Sequence, residues 1–113
     1  MAKPTITSVT VTILAGTAVS DAADISSGNV TMLLMPADWT SANMSFLLSE
    51  DNVNFRELYD VYGMEVIKAV GPNRALNVDP SYTAGALWLK LCSGPAATPV
   101  LQAADRPIVL VIQ

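Results

Sequence analysis

Ten acidic side chains and one thiol carry most of the reactive chemistry open to this chain, because its 113 residues include no histidine. That absence removes Ser-His-Asp and Cys-His nucleophilic mechanisms, the commonest metal ligand and the usual general base near neutral pH. Glu50 and Asp51 stand beside Asn52 and Asn54, and oxygen ligands gathered in a loop can bind calcium. A calcium loop needs more carboxylates at defined spacing and a glycine at its sharp bend, so this segment reads as a solvated hairpin turn. Glu57, Asp60 and Glu65 include pairs that a glycosidase could use as acid and base. Acids spaced along adjoining strands are more often exposed-face residues, and a small sandwich leaves little room for a substrate cleft. Cys92 has no disulfide partner within the chain and too few companions for a zinc site. It shares strand parity with Trp88 and Lys90 and reads as a small buried hydrophobe, not a reactive thiol. No Gly-rich phosphate loop of either standard type occurs. No catalytic, cofactor-binding or metal-ligating residue is assigned, and enzymatic activity is not expected.

The side chains suited to contact are a different set. Trp39, Trp88, Tyr59, Tyr62 and Tyr82 could form a sugar-stacking platform, although aromatic residues make up only 6% of the chain. Trp88 lies within a strand pattern and is expected to pack on a sheet. Trp39 follows Pro36 in a connection and is expected to plug one end of the fold. Tyr59, Tyr62 and Tyr82 suit exposed contact, because tyrosine keeps a polar tip in water. Five methionines, among them Met32, Met35, Met44 and Met64, supply adaptable apolar surface. The candidate interface set is Trp39, Tyr59, Tyr62, Tyr82, Met32 and Met35.

What must position these residues follows from composition. Hydrophobic residues reach 51% and charged residues only 14%, against about 25% charged in average globular chains. Disorder is excluded, since it requires the opposite balance. The apolar excess is either an unusually rich core or a surface that something covers. The net charge is −4, and the six basic residues are scattered. Phosphate-backbone binding needs clustered cations, so nucleic acid is not an expected partner. The longest apolar runs, such as Met32 to Met35 and Ile108 to Ile112, are strand-length, which argues against a membrane span. Met1-Ala2-Lys3-Pro4 lacks the charged-then-apolar shape of a signal peptide, and synthesis in a cytoplasm is expected. Residues 1–113 fit one domain.

Strand signals run from end to end. In Thr5 to Leu14, Val9, Val11 and Ile13 alternate with Ser8, Thr10 and Thr12, and Ile6 is out of phase, predicting a bulge near Ser8. Ala18 to Ile25 predicts a weak strand. Val30 to Met35 is apolar on both faces and stops at Pro36. Met44, Phe46 and Leu48 alternate with polar or apolar partners, and the turn at Ser49 to Asn54 favours a left-handed Asn52. Phe55 to Tyr59 is the expected hairpin partner, and Tyr62-Gly63 leads into Met64 to Val70. Arg74 to Val78 is a short strand. Asp79-Pro80-Ser81-Tyr82 places a cap before a proline at the first helical position. Leu87, Leu89 and Leu91 alternate with Trp88, Lys90 and Cys92, and Ile108 to Ile112 is a closing strand, central or covered on both sides. About eight short strands at this spacing, with no crossover helix, predict an all-β antiparallel sandwich.

The chain from Val30 onward also resembles a family of small β-sandwich proteins encoded among the structural genes of tailed phages, related in pattern to galactose-binding, discoidin-like jelly rolls. The resemblance rests on Pro36 to Trp39 after a strand, and on Phe46-Leu47-Leu48-Ser49-Glu50-Asp51-Asn52-Val53-Asn54-Phe55 as a hairpin. It continues through Gly63-Met64-Glu65, Arg74, Lys90-Leu91-Cys92-Ser93-Gly94 and Ala104-Asp105-Arg106-Pro107-Ile108. Asn52 departs from the glycine usual in that hairpin, which keeps the turn and weighs against a ligand loop. These motifs are turns and alternation, and they carry over no sugar-binding residue. The resemblance implies a jelly-roll virion component that decorates the capsid by binding the major capsid protein, with self-association, a trimer being one form. The alternative it implies is a glycan- or receptor-binding module of a head fibre or tail appendage.

Overall fold

The computed structural model describes residues 5–113; Met1 to Pro4, read above for a leader, lie outside the described residues. Among the described residues eight strands occur, in the order β1 (Thr7–Ile13), β2 (Ala23–Asp24), β3 (Val30–Leu34), β4 (Met44–Ser49), β5 (Arg56–Glu57), β6 (Ala75–Asn77), β7 (Trp88–Ser93) and β8 (Arg106–Ile112). One sheet runs β1-β8-β3-β6 and the other β2-β7-β4-β5. The first strand pairs with the last, the second with the seventh, the third with the sixth and the fourth with the fifth, all antiparallel. A ribbon doubled on itself and rolled over gives this pairing, which is the jelly-roll sandwich.

Alternation decides which side chains enter the core. Val11 and Ile13 of β1, Val30 and Leu33 of β3, and Ile108, Leu110 and Ile112 of β8 face Met44 and Phe46 of β4 and Leu89 and Leu91 of β7. Each such residue, fully buried, contributes about 1.5–3 kcal/mol of transfer free energy. A single turn of 3-10 helix, Pro80–Tyr82, is capped as its sequence predicts, with Asp79 accepting a hydrogen bond from the Ser81 N–H.

Three local expectations change. The register of β1 against β8 is unbroken from Thr7 to Ile13, so no bulge falls near Ser8. The irregularity lies in β3 between Val30 and Met32. There it lets Val30 and Leu33, three residues apart, both enter the core, which explains a strand apolar on both faces. Met64 to Val70 forms no strand and touches the sheets through the bridges Tyr59 to Glu65 and Met44 to Lys68. Ala18 to Ile25 contracts to the two residues of β2 and one bridge from Val19 to Cys92. Strand β8 is central, as expected; the core covers one of its faces, and Val109 and Val111 on the other are half-buried.

Candidate functional site

The outward residues of the β1-β8-β3-β6 sheet fall into two rows that cross all four strands. Thr10 pairs with Val109, Val109 with Leu34, and Leu34 with Ala75. Beside this row, Ser8 pairs with Val111, Val111 with Met32, and Met32 with Asn77. Thr12 and Pro107 extend the face toward one end. None of these side chains is ionisable. With strands about 4.8 Å apart and roughly five residues of about 3.3 Å on each, the face spans roughly 300 Å². That area is ordinary for a monomer surface; its lack of charge is the distinguishing property.

The opposite sheet provides the contrast. On its outer side Leu47 of β4 lies between Lys90 of β7 and Glu57 of β5. The Lys90 ammonium stands 4.4 Å from the Phe55 ring centroid. Farther along, Cys92 and Ser45 are buried beneath neighbouring loops, with the Ser45 hydroxyl donating to the Gly94 carbonyl at 2.7 Å. Burial pushes the Cys92 thiol above its ordinary value; the bond with Ser45 opposes the shift, and Glu65 and Glu57 add to it.

A second apolar feature projects from the loop after β5. Asp60 Oδ1 accepts from the N–H groups of Tyr62 and Met64, and the Asp60 N–H donates to the Met64 carbonyl at 2.8 Å. Gly63 takes φ 78°, which a side chain would resist. This closed turn holds Val61 93% and Tyr62 86% exposed, with Tyr59 and Met64 beside them also exposed.

The six residues expected at an interface separate in space and environment. Met32 lies on the uncharged face, and Tyr59 and Tyr62 lie on the projecting loop. Met35 is buried in the core at 7% exposure, because after the β3 irregularity it alternates in phase with inward Leu33. Trp39 packs half-buried against the core, its indole N–H donating to the Ala42 carbonyl at 3.0 Å, as a plug would. Tyr82 also packs against the core, its ring centroid 6.1 Å from that of Phe46. Val109, Val111 and Leu34 lie on the uncharged face beside Met32 and are not among the six; in the all-apolar run Ile108 to Ile112 only the pairing with β1 and β3 identifies the outward side.

The carboxylates close turns. Asp51 Oδ1 accepts from the N–H groups of Val53 and Asn54 and from the Ser49 hydroxyl, and its Oδ2 accepts from the Asn54 amide. These donors hold its carboxyl well below the usual aspartate range, the Asn54 N–H contributing most. Asn52 takes φ 61°, the left-handed conformation its sequence predicts. Glu65 accepts from the Ala96 N–H. Beside the Asp51 turn lies a cleft of about 480 Å³ lined by Leu48, Leu58 and Tyr82 together with Asp51, Asn54 and Arg56. Among the described residues no three His, Cys, Asp or Glu side chains gather as a metal site, and no helix is long and apolar enough to cross a membrane. No family model, curated protein or solved structure matches the chain.

Proposed function

We propose that the chain is a structural protein of a tailed-phage virion that decorates the outer capsid surface, seating its β1-β8-β3-β6 face on the major capsid protein. The observation that carries this reading is the pair of four-residue rows without an ionisable side chain. Such a face can be covered without desolvating a charge. The sequence resemblance supplies the identity of the partner, and the fold, used by viral capsid and lectin domains, is compatible with it by analogy. The mechanism is mechanical and involves no reaction. Covering roughly 300 Å² at about 25 cal/mol per Å² of apolar area yields at most roughly 7 kcal/mol, since Ser8, Thr10 and Asn77 add polar atoms, before association costs of about 4–15 kcal/mol. One copy therefore holds weakly, and many copies on a shell gain by avidity.

Purified protein is expected to add to undecorated capsids at a fixed stoichiometry and to raise their disruption temperature. Leu34→Glu and Val109→Lys should fold and fail to bind, while Lys90→Glu on the opposite sheet should bind normally. Binding that survives both face substitutions, or a location on the tail, would refute the reading. The cleft beside Tyr82 favours a second one, a glycan-binding module of a fibre or appendage, because an aromatic ring and several polar side chains line it together. A glycan array without a hit removes that alternative.

A further inference from the structure

The main chain of β1 has an outer side that the sandwich leaves open. Thr12 marks its direction: the Thr12 N–H donates to Asp21 Oδ1 at 2.8 Å, and its carbonyl accepts from the Asp21 N–H at 3.4 Å. Both groups therefore point away from β8. Main-chain groups two residues apart on a strand point the same way, so those of Ser8 and Thr10 also point outward. Neither carries a main-chain hydrogen bond on that side among the described residues, and both residues are exposed.

This edge lacks the devices that normally blunt one. It is part of a seven-residue strand without a bulge, whereas β2 and β5 have two residues each and β6 three. From Ile6 to Thr10 it carries no charge and no proline. Short length, charges, proline and bulges are the usual protections. Among the described residues the only main-chain cap is Asp21, at one end.

We propose that Ile6 to Thr10 is a pairing edge at which two copies of this chain join, antiparallel about a two-fold axis, into one continuous sheet. Self-pairing fits because one segment supplies both sides of an isologous contact. An axis at Ser8 sets Ser8 against its own mate and Ile6 against Thr10 of the other copy, with two hydrogen bonds per facing pair. The Asp21 cap on Thr12 ends the pairing at the next outward position. Joining two sheets doubles the uncharged face to roughly 600 Å², closer to the roughly 800 Å² per partner of a stable interface. The proposal rests on the edge alone and stands whether or not the face meets a capsid.

Sedimentation velocity over a dilution series is expected to show a monomer–dimer equilibrium. Thr10→Pro removes an outward N–H, leaves the bonds to β8, and should shift the population to monomer with the far-ultraviolet spectrum retained. Independently, Ser8→Cys should form a disulfide-linked dimer under mild oxidation, at least tenfold faster than Thr12→Cys, because only residue 8 meets its own mate. A protein that stays monomeric at every concentration, a dimer indifferent to Thr10→Pro, or equal cross-linking at both positions overturns the proposal.

Discussion

The Gln102 side chain is bonded to Thr40 as one strand is bonded to the next: its Oε1 accepts from the Thr40 N–H at 2.9 Å, and its Nε2 donates to the Thr40 carbonyl at 3.1 Å. Nε2 also donates to the Ser93 hydroxyl at 2.7 Å, and Oε1 accepts from Arg106 Nε at 3.1 Å. The amide is 1% exposed and fastens the connection after Pro36 to the end of the sandwich. Gln102→Ala leaves several buried partners unsatisfied and is expected to cost about 3 kcal/mol. Urea denaturation checks it, as a lower midpoint at unchanged slope.

Acid should unfold the protein partly through its turn aspartates. Asp51 is held below the ordinary aspartate value of 3.8 first by the Asn54 N–H, Asp24 by the Ser26 hydroxyl, and Asp79 by the Ser81 N–H. A carboxyl lowered in the folded state contributes stability that is complete above the unfolded value and is lost as pH falls below it. The acid limb of the stability curve therefore begins near 3.8 and continues downward. Asp51→Asn should make that limb shallower, as thermal melts across the acid range will show.

Gly94 should resist replacement. Its φ is 85°, and a Cβ there would lie 2.9 Å from the Thr98 carbonyl oxygen and 3.0 Å from the Val100 nitrogen. Its carbonyl also receives the Ser45 hydroxyl. Gly94→Ala is expected to cost about 1–3 kcal/mol, read as a lowered melting temperature.

Cys92 should behave as a core residue toward thiol reagents. At 4% exposure and with its thiol pushed up by burial, it offers little thiolate to a reagent at neutral pH. Labelling is expected to follow the rate of unfolding, and rapid labelling under native conditions would contradict this environment.

Much of the fold was legible because strand alternation is local. Leu89 and Leu91 face inward while Trp88 and Lys90 face outward, as their spacing predicts, and Asn52 and the Asp79-Pro80 cap take the conformations their chemistry favours. The contact face was harder to read. In Ile108 to Ile112 every residue is apolar, so alternation cannot tell the core side from a side awaiting a partner until β1 and β3 flank the strand. The β3 bulge is set by pairing across the sheet and leaves no mark in Val30 to Leu34 alone. Gln102 has no periodicity to flag it, since its partners lie in segments distant along the chain.

The ion-free rows on the β1-β8-β3-β6 sheet also govern how quickly and in what medium that surface can engage anything. Dissolved salt has no charges there to screen, so any electrostatic steering toward that surface comes from the net charge of −4 carried elsewhere on the chain. A partner held there by apolar contact alone would keep its grip as salt rises, and excluded solutes such as sulfate would tighten it.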